Sequence, residues 1–164
     1  MKRTAKALGM KRTVFKNAHG LTQQGHLSTA RDMTILGRHV FYDYPDYYNL
    51  FSRRTANAGS KKVSHTNSRF LANYRGADGI KTGYTRAAGF NLTASAERGS
   101  ERIITTVFGG RSTATRNKQV TKLMNLGFNK APSNIAIKKP DLPNYSAIDL
   151  GSKKIIRPSG AVRK

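Results

Sequence analysis

The spacing of apolar residues along this chain changes twice. Between residues 29 and 42, Met33, Leu36, Val40 and Phe41 recur at helical spacing, which predicts an amphipathic helix. Ser28 precedes it as the expected N-cap, with Arg31-Asp32 in the first turn. From residue 79 the period falls to two and three strands are predicted: Gly79 to Thr85, Ala88 to Ala96 and Arg102 to Phe108. The second alternates, with Phe90, Leu92 and Ala94 on one face; the third is rich in β-branched residues. The spacers Arg86-Ala87 and Glu97 to Glu101 are of hairpin length, so neighbouring strands should run antiparallel. Helical spacing returns from Thr113 to Leu126, with Val120, Leu123 and Met124 facing a core and Gly127 as the stop.

The remaining segments carry weaker patterns. Residues 2 to 9 read as a short helix ending at Gly9, and residues 11 to 27 as an irregular loop. Tyr44, Tyr47, Tyr48, Leu50 and Phe51 form an aromatic cluster around Pro45. Residues 55 to 63 are polar and read as a loop; Ser64 to Phe70 reads as a short strand or turn. Asp78-Gly79 is expected to be a turn that sets the start of the first strand. From Ala131 onward the chain holds four of its five prolines and many bases, the composition of a linker or weakly ordered tail. The expected organisation is therefore a folded part over 1–130 and a basic tail over 131–164, with no internal repeat.

Charge alters this picture. The 164 residues hold 30 Lys and Arg against 8 Asp and Glu, a net charge of +22. Such an excess attracts polyanions: nucleic acid, an anionic membrane surface or an anionic wall polymer. Nothing resembles a nucleic-acid recognition motif, and the aromatics fall at core-like positions, so no specific nucleic acid is expected. Cysteine is absent, which excludes disulfides. The four histidines lie far apart and the acids do not cluster with them, so no metal and no cofactor are expected. No apolar run of seven or more follows Met1-Lys2-Arg3, and none nears the length of a membrane helix. On these signals alone the chain as written would be cytoplasmic.

The chemistry concentrates in Ala77 to Leu92, at whose centre stands Lys81-Thr82-Gly83. Lys-Thr-Gly is one of three boxes of penicillin-binding proteins and class A β-lactamases, the others being S-x-x-K and S-x-N. Its flanks are more specific than the tripeptide. Leu8-Gly9-Met10, Gly25-His26-Leu27-Ser28-Thr29-Ala30-Arg31-Asp32-Met33, Asn67, Phe70-Leu71, Ser95-Ala96, Val107-Phe108-Gly109-Gly110, Arg116 and Leu126-Gly127-Phe128 follow in order. Over residues 1 to 128 the chain resembles the D-alanyl-D-alanine carboxypeptidases of the penicillin-binding type.

That resemblance implies an α+β fold: an antiparallel sheet flanked by helices, corresponding to the C-terminal part of a transpeptidase-like domain. It implies a serine-type hydrolase of peptidoglycan biosynthesis in the cell wall. Such enzymes remove the terminal D-alanine from stem peptides ending in D-Ala-D-Ala, through an acyl-enzyme that β-lactams also form. The family works in the periplasm or on the outer face of the cytoplasmic membrane. Carried over by position, Lys81 supplies positive charge near the reacting centre and Thr82 donates its hydroxyl to the substrate carboxylate. Gly83 lets another backbone approach, and Arg116 clamps the terminal carboxylate. The departure is the nucleophile: no Ser has Lys three residues later or Asn two residues later. The isolated chain is therefore expected to be inactive, and to expose an open strand edge beside Arg102 to Phe108. The alternative is a noncatalytic remnant that binds peptidoglycan. Tyr47-Tyr48-Asn49, Thr13 to Lys16 and Thr115 to Lys118 mimic the missing boxes without their context, and Ser28 is explained as a cap.

Overall fold

A computed structural model describes residues 1–132 and 136–145. Three long strands, β3 (Ala77–Thr85), β4 (Gly89–Arg98) and β5 (Glu101–Gly110), form one antiparallel sheet in the order β3-β4-β5. Before them come helices α1 (Lys2–Ala7), α2 (Ala30–Asp43) and α3 (Pro45–Tyr48), a 3₁₀ turn (Asn49–Phe51), a hairpin of β1 (Thr55–Ala58) and β2 (Lys61–Ser64), and helix α4 (Ser68–Asn73). Helix α5 (Thr113–Lys130) follows the sheet. The fold is α+β, with helices on both faces of the sheet.

The central strand explains the layering. Leu92, Ala94 and Ala96 of β4 are almost fully buried against Val120 and Met124 of α5. Small residues on β4 let the helix come close, and each large apolar side chain so buried contributes roughly 1.5–3 kcal/mol. Phe70 of α4 and Tyr74 at its C-cap stack at 5.2 Å and complete this core, and the Tyr74 hydroxyl donates to Asn125 Oδ1 at 2.8 Å. On the opposite face α2 approaches through Gly37. A Cβ there would lie 2.9 Å from Ile80 Cδ1 and 3.2 Å from Thr93 Cγ2. Met33, Leu36 and Val40 are only half-buried and line a cavity between α2 and the sheet.

Several expectations need correction. The cap of α2 is Thr29, whose Oγ1 accepts from Asp32 N at 3.1 Å, and not Ser28. Ser28 instead bonds Thr13 Oγ1, which donates to Asp32 Oδ2 at 2.6 Å. Asp32 thereby ties the loop before α2 to the helix start. Residues 55–63 hold a hairpin rather than a loop; all eight strand residues are exposed, so no alternation marks it. Residues 64–70 close β2 and open α4. Asp78-Gly79 lies within β3 at a bulge, not in a turn. Gly127 sits inside α5, where a Cβ would lie 2.9 Å from Ile103 Cγ2; the glycine is there for close packing and not as a stop. Part of the expected tail, 133–135 and 146–164, lies outside the described residues. Over 136–145 there is no helix or strand, and Arg38 of α2 donates to Lys138 O.

Candidate functional site

Lys81, Thr82 and Gly83 lie in the outer strand of the sheet, whose second edge is paired with no strand among the described residues. Alternation sends adjacent side chains to opposite faces. Lys81 stands opposite Thr93, whose methyl group approaches α2; Thr82 stands opposite Leu92, which belongs to the core against α5. A Cβ built on Gly83 would meet nothing within 4 Å, so the space beside this position is open.

Thr82 reaches a polar cavity. Its Oγ1 lies 2.5 Å from Thr66 Oγ1, and Thr66 lines a cavity of about 330 Å³ together with His65, Asn67, Thr113, Arg116 and Asn117. Arg116 is in the first turn of α5, behind a capping box formed by Ser112 and Thr115. Gly110 lets the end of β5 lie against this turn, since a Cβ there would be 2.9 Å from Arg116 Cβ.

The electrostatics of this cavity are one-sided. Arg116 is 3% exposed, yet it has no carboxylate partner among the described residues. Its Nε and Nη2 donate to Asn117 Oδ1 at 3.1 and 2.8 Å, and Nη1 to Asn91 O at 3.4 Å. Burial pulls its pKa below the ordinary guanidinium value, and no anion offsets that. Asn67, 1% exposed, has neither amide atom hydrogen-bonded. An unpartnered buried polar group costs about 1–3 kcal/mol. His65 accepts the Asn67 N–H at Nδ1 over 2.9 Å, and burial, then the Lys81 charge, lower its pKa. The surroundings therefore favour neutral His65 beside cationic Arg116, an arrangement that can receive a small anion.

Lys81 shares a larger space with Thr82 and Gly83. Its Nζ donates to the carbonyl of Thr82 at 2.7 Å, and the residue borders the cavity of about 760 Å³ beneath α2. Of the four carried-over residues, Lys81, Thr82 and Gly83 all line the cavity beneath α2, and Thr82 is linked through Thr66 to the separate cavity that holds Arg116. His65, Thr66 and the unpaired amide of Asn67 were not legible as site residues. They come from the polar segment between β2 and α4, and only its docking beside β3 gives them a role. The mimics of the missing boxes have other duties. Tyr48 packs against Phe41 and Phe51, Thr13 binds Asp32, and Thr115 caps α5.

At the other end of β3, Asp78 is held by Arg102. Arg102 Nη1 donates to Asp78 Oδ2 at 2.6 Å and to Ser95 Oγ at 2.7 Å, while Nη2 meets Glu97. The guanidinium lies 3.8 Å from the ring centroid of Phe41, a cation–π contact. Tyr48 lies alongside, its pKa pushed up to about 12, chiefly by burial. This cluster fixes the start of β3, and with it the register of the strand that carries Lys81 to Gly83.

Known proteins share this arrangement. A family model described as D-alanyl-D-alanine carboxypeptidase matches residues 1–112. The D-alanyl-D-alanine carboxypeptidase DacF of Bacillus subtilis is 36% identical over 161 residues, which is 95% of this chain and 41% of that protein. The structure of penicillin binding protein 5 from Haemophilus influenzae superposes with a TM-score of 0.74 at 33% identity, covering 78% of this chain and 38% of that one. A Listeria monocytogenes penicillin-binding protein in its cefotaxime-bound form gives 0.71 at 34% identity, over 77% and 53% of the two chains. The chain thus spans about two fifths of the length of DacF. With the family model matched over residues 1–112 and DacF 36% identical over 95% of the chain, the chain belongs to the D-alanyl-D-alanine carboxypeptidase family.

Proposed function

We propose that this chain supplies the substrate-holding side of a serine-type D-Ala-D-Ala carboxypeptidase site and cannot form an acyl-enzyme by itself. The observation that carries the reading is Arg116, a buried guanidinium without a carboxylate partner among the described residues, sharing a cavity with the Thr66 that binds Thr82. A peptide carboxylate supplies that anion, and a guanidinium can hold it bidentately. The Thr82 hydroxyl donates to the same carboxylate in exchange for its bond to Thr66. The free edge of β3 then holds the peptide by main-chain hydrogen bonds, as an added strand. Lys81 places positive charge on the other side of this edge.

The chemical step in such enzymes needs an activated serine. Its oxygen attacks the carbonyl between the two D-alanines, the terminal D-alanine leaves, and water frees the acyl group. No serine of this sequence has the S-x-x-K context, and Ser28, at the rim of the α2 cavity, is bonded to Thr13 rather than to a base. Acylation therefore requires the missing boxes from outside this sequence. We place the working site on the outer side of the cytoplasmic membrane, where peptidoglycan is.

A fluorescent penicillin separates the possibilities. The purified chain should form no covalent band, yet bind a peptide ending in D-Ala-D-Ala at equilibrium, with affinity lowered at least ten-fold in Arg116→Ala, about 1.4 kcal/mol. A covalent band would overturn the inactivity of the chain. Loss of all peptide binding would overturn the holding role. The noncatalytic peptidoglycan-binding alternative shares the binding result. It parts from the main reading if adding a polypeptide with the S-x-x-K and S-x-N boxes fails to restore labelling.

A further inference from the structure

The acids of the main sheet are gathered at one end. Asp78, Glu97 and Glu101 lie at the end where β3 and β5 begin, and Asp78 and Glu97 both engage Arg102. The opposite end, where β3 turns into β4 and β5 reaches α5, carries Arg86 and Arg111. Both are exposed, and neither has an ion-pair or hydrogen-bond partner among the described residues. They border one open hollow of about 370 Å³, together with Tyr84, Phe90 and Gly110, and no acid among the described residues lines it. Tyr84 lies against Phe90 with ring centroids 4.4 Å apart while staying 59% exposed, so an aromatic surface also borders the hollow.

Strand direction connects this hollow to the site. β3 runs from Lys81 toward Thr85. A peptide adding antiparallel to its free edge, with its terminal carboxylate at Thr82 and Arg116, must run its earlier residues toward Thr85 and the β3–β4 turn. At about 3.4 Å per residue, the third or fourth residue before the C-terminus arrives at Arg86. We propose that Arg86 and Arg111 form a second anion subsite for an acidic residue three or four positions before the C-terminus of the bound peptide. The inference rests on the proposed strand addition at β3. It narrows the ligand class from any peptide ending in D-Ala-D-Ala to one bearing two carboxylates at that separation.

The test uses the full chain and two synthetic pentapeptides ending in D-Ala-D-Ala, one with a free acid at its second residue and one with the corresponding amide. Exposed ion pairs are individually weak, so the acidic peptide should bind roughly five-fold tighter in fluorescence anisotropy, and raised salt should shrink the difference. The difference should vanish in Arg86→Gln/Arg111→Gln and persist in Lys61→Gln/Lys62→Gln, which removes the same charge from exposed positions on β2. Equal affinities in the unmodified chain would overturn the subsite and leave the proposed function standing. A preference that survives the arginine substitutions, or falls equally in the lysine pair, would assign it to the overall charge and overturn the subsite. Failure of both peptides to bind would sink the subsite and the proposed function together.

Discussion

Thr66 Oγ1 lies 2.5 Å from Thr82 Oγ1, and this bond joins the segment after β2 to the outer strand of the main sheet. It links Thr82, which lines the cavity beneath α2, to Thr66 on the wall of the Arg116 cavity. The bond also defines what Thr82 gives up when a carboxylate arrives: one hydroxyl partner is exchanged for another, so the exchange favours a charged acceptor over a neutral one.

Thr82→Val preserves the β-branched shape and removes the hydroxyl. Affinity for a D-Ala-D-Ala peptide should fall about ten-fold, close to one charge-assisted hydrogen bond, while the melting temperature moves by only a few degrees. Isothermal titration and thermal melting of the same samples check both halves. An unchanged affinity would remove Thr82 from the site.

His65 should make stability depend on pH. Its folded pKa is lowered from 6.5, by burial first and then by the Lys81 charge, and protonating Nδ1 would cost the bond from Asn67 N. As the pH falls, the unfolded chain takes up this proton first. Stability is therefore retained above about pH 6.5 and declines below it until the folded value is passed. The loss of melting temperature between about pH 7 and pH 5 should be smaller in His65→Gln than in the unmodified chain. Equal losses would show that His65 is not the titrating group.

Arg102 should matter for stability rather than for binding chemistry. Burial alone would lower its pKa, but the bond and charge of Asp78 outweigh this and raise it. Replacing it with Met leaves Asp78 and Glu97 without their cation and removes the contact with Phe41. Because Asp78 and Glu97 are partly solvated, the cost should be about 2 kcal/mol rather than that of a fully buried pair. Urea denaturation of Arg102→Met, Asp78→Asn and the double variant should give a double-variant cost well below the sum of the two.

Two glycines with positive φ separate backbone strain from close contact. Gly76 has φ +80°, and a Cβ there would stand 2.1 Å from the carbonyl oxygen of Glu97. Gly99 has φ +60° and no atom within 4 Å of the same position. Gly99→Ala should cost about 1 kcal/mol from φ alone. Gly76→Ala should cost on the order of 3 kcal/mol or more, because β4 must move away from the start of β3. Comparable urea midpoints for the two variants would contradict the packing at Gly76.

The legible part of the fold is the part that buries a face. The alternation of Phe90, Leu92 and Ala94 marked β4, and the spacing of Val120, Leu123 and Met124 marked α5, because each element must present apolar positions to one core. The β1–β2 hairpin buries none of its eight residues, so it left no periodic trace. Gly127 carries the local signature of a helix end; only the docking of Ile103 explains it inside α5.

The sequence by itself determined the three main strands, helices α2 and α5, the Lys-Thr-Gly strand and the family resemblance. All of these are encoded by residue type at short range. The tertiary structure decided that Arg116 is buried, that Thr66 meets Thr82, and that Asp78 is held by Arg102. The last two join residues 16 and 24 positions apart, and the first depends on how α5 docks on the sheet; no local pattern specifies which distant partner a polar side chain will meet.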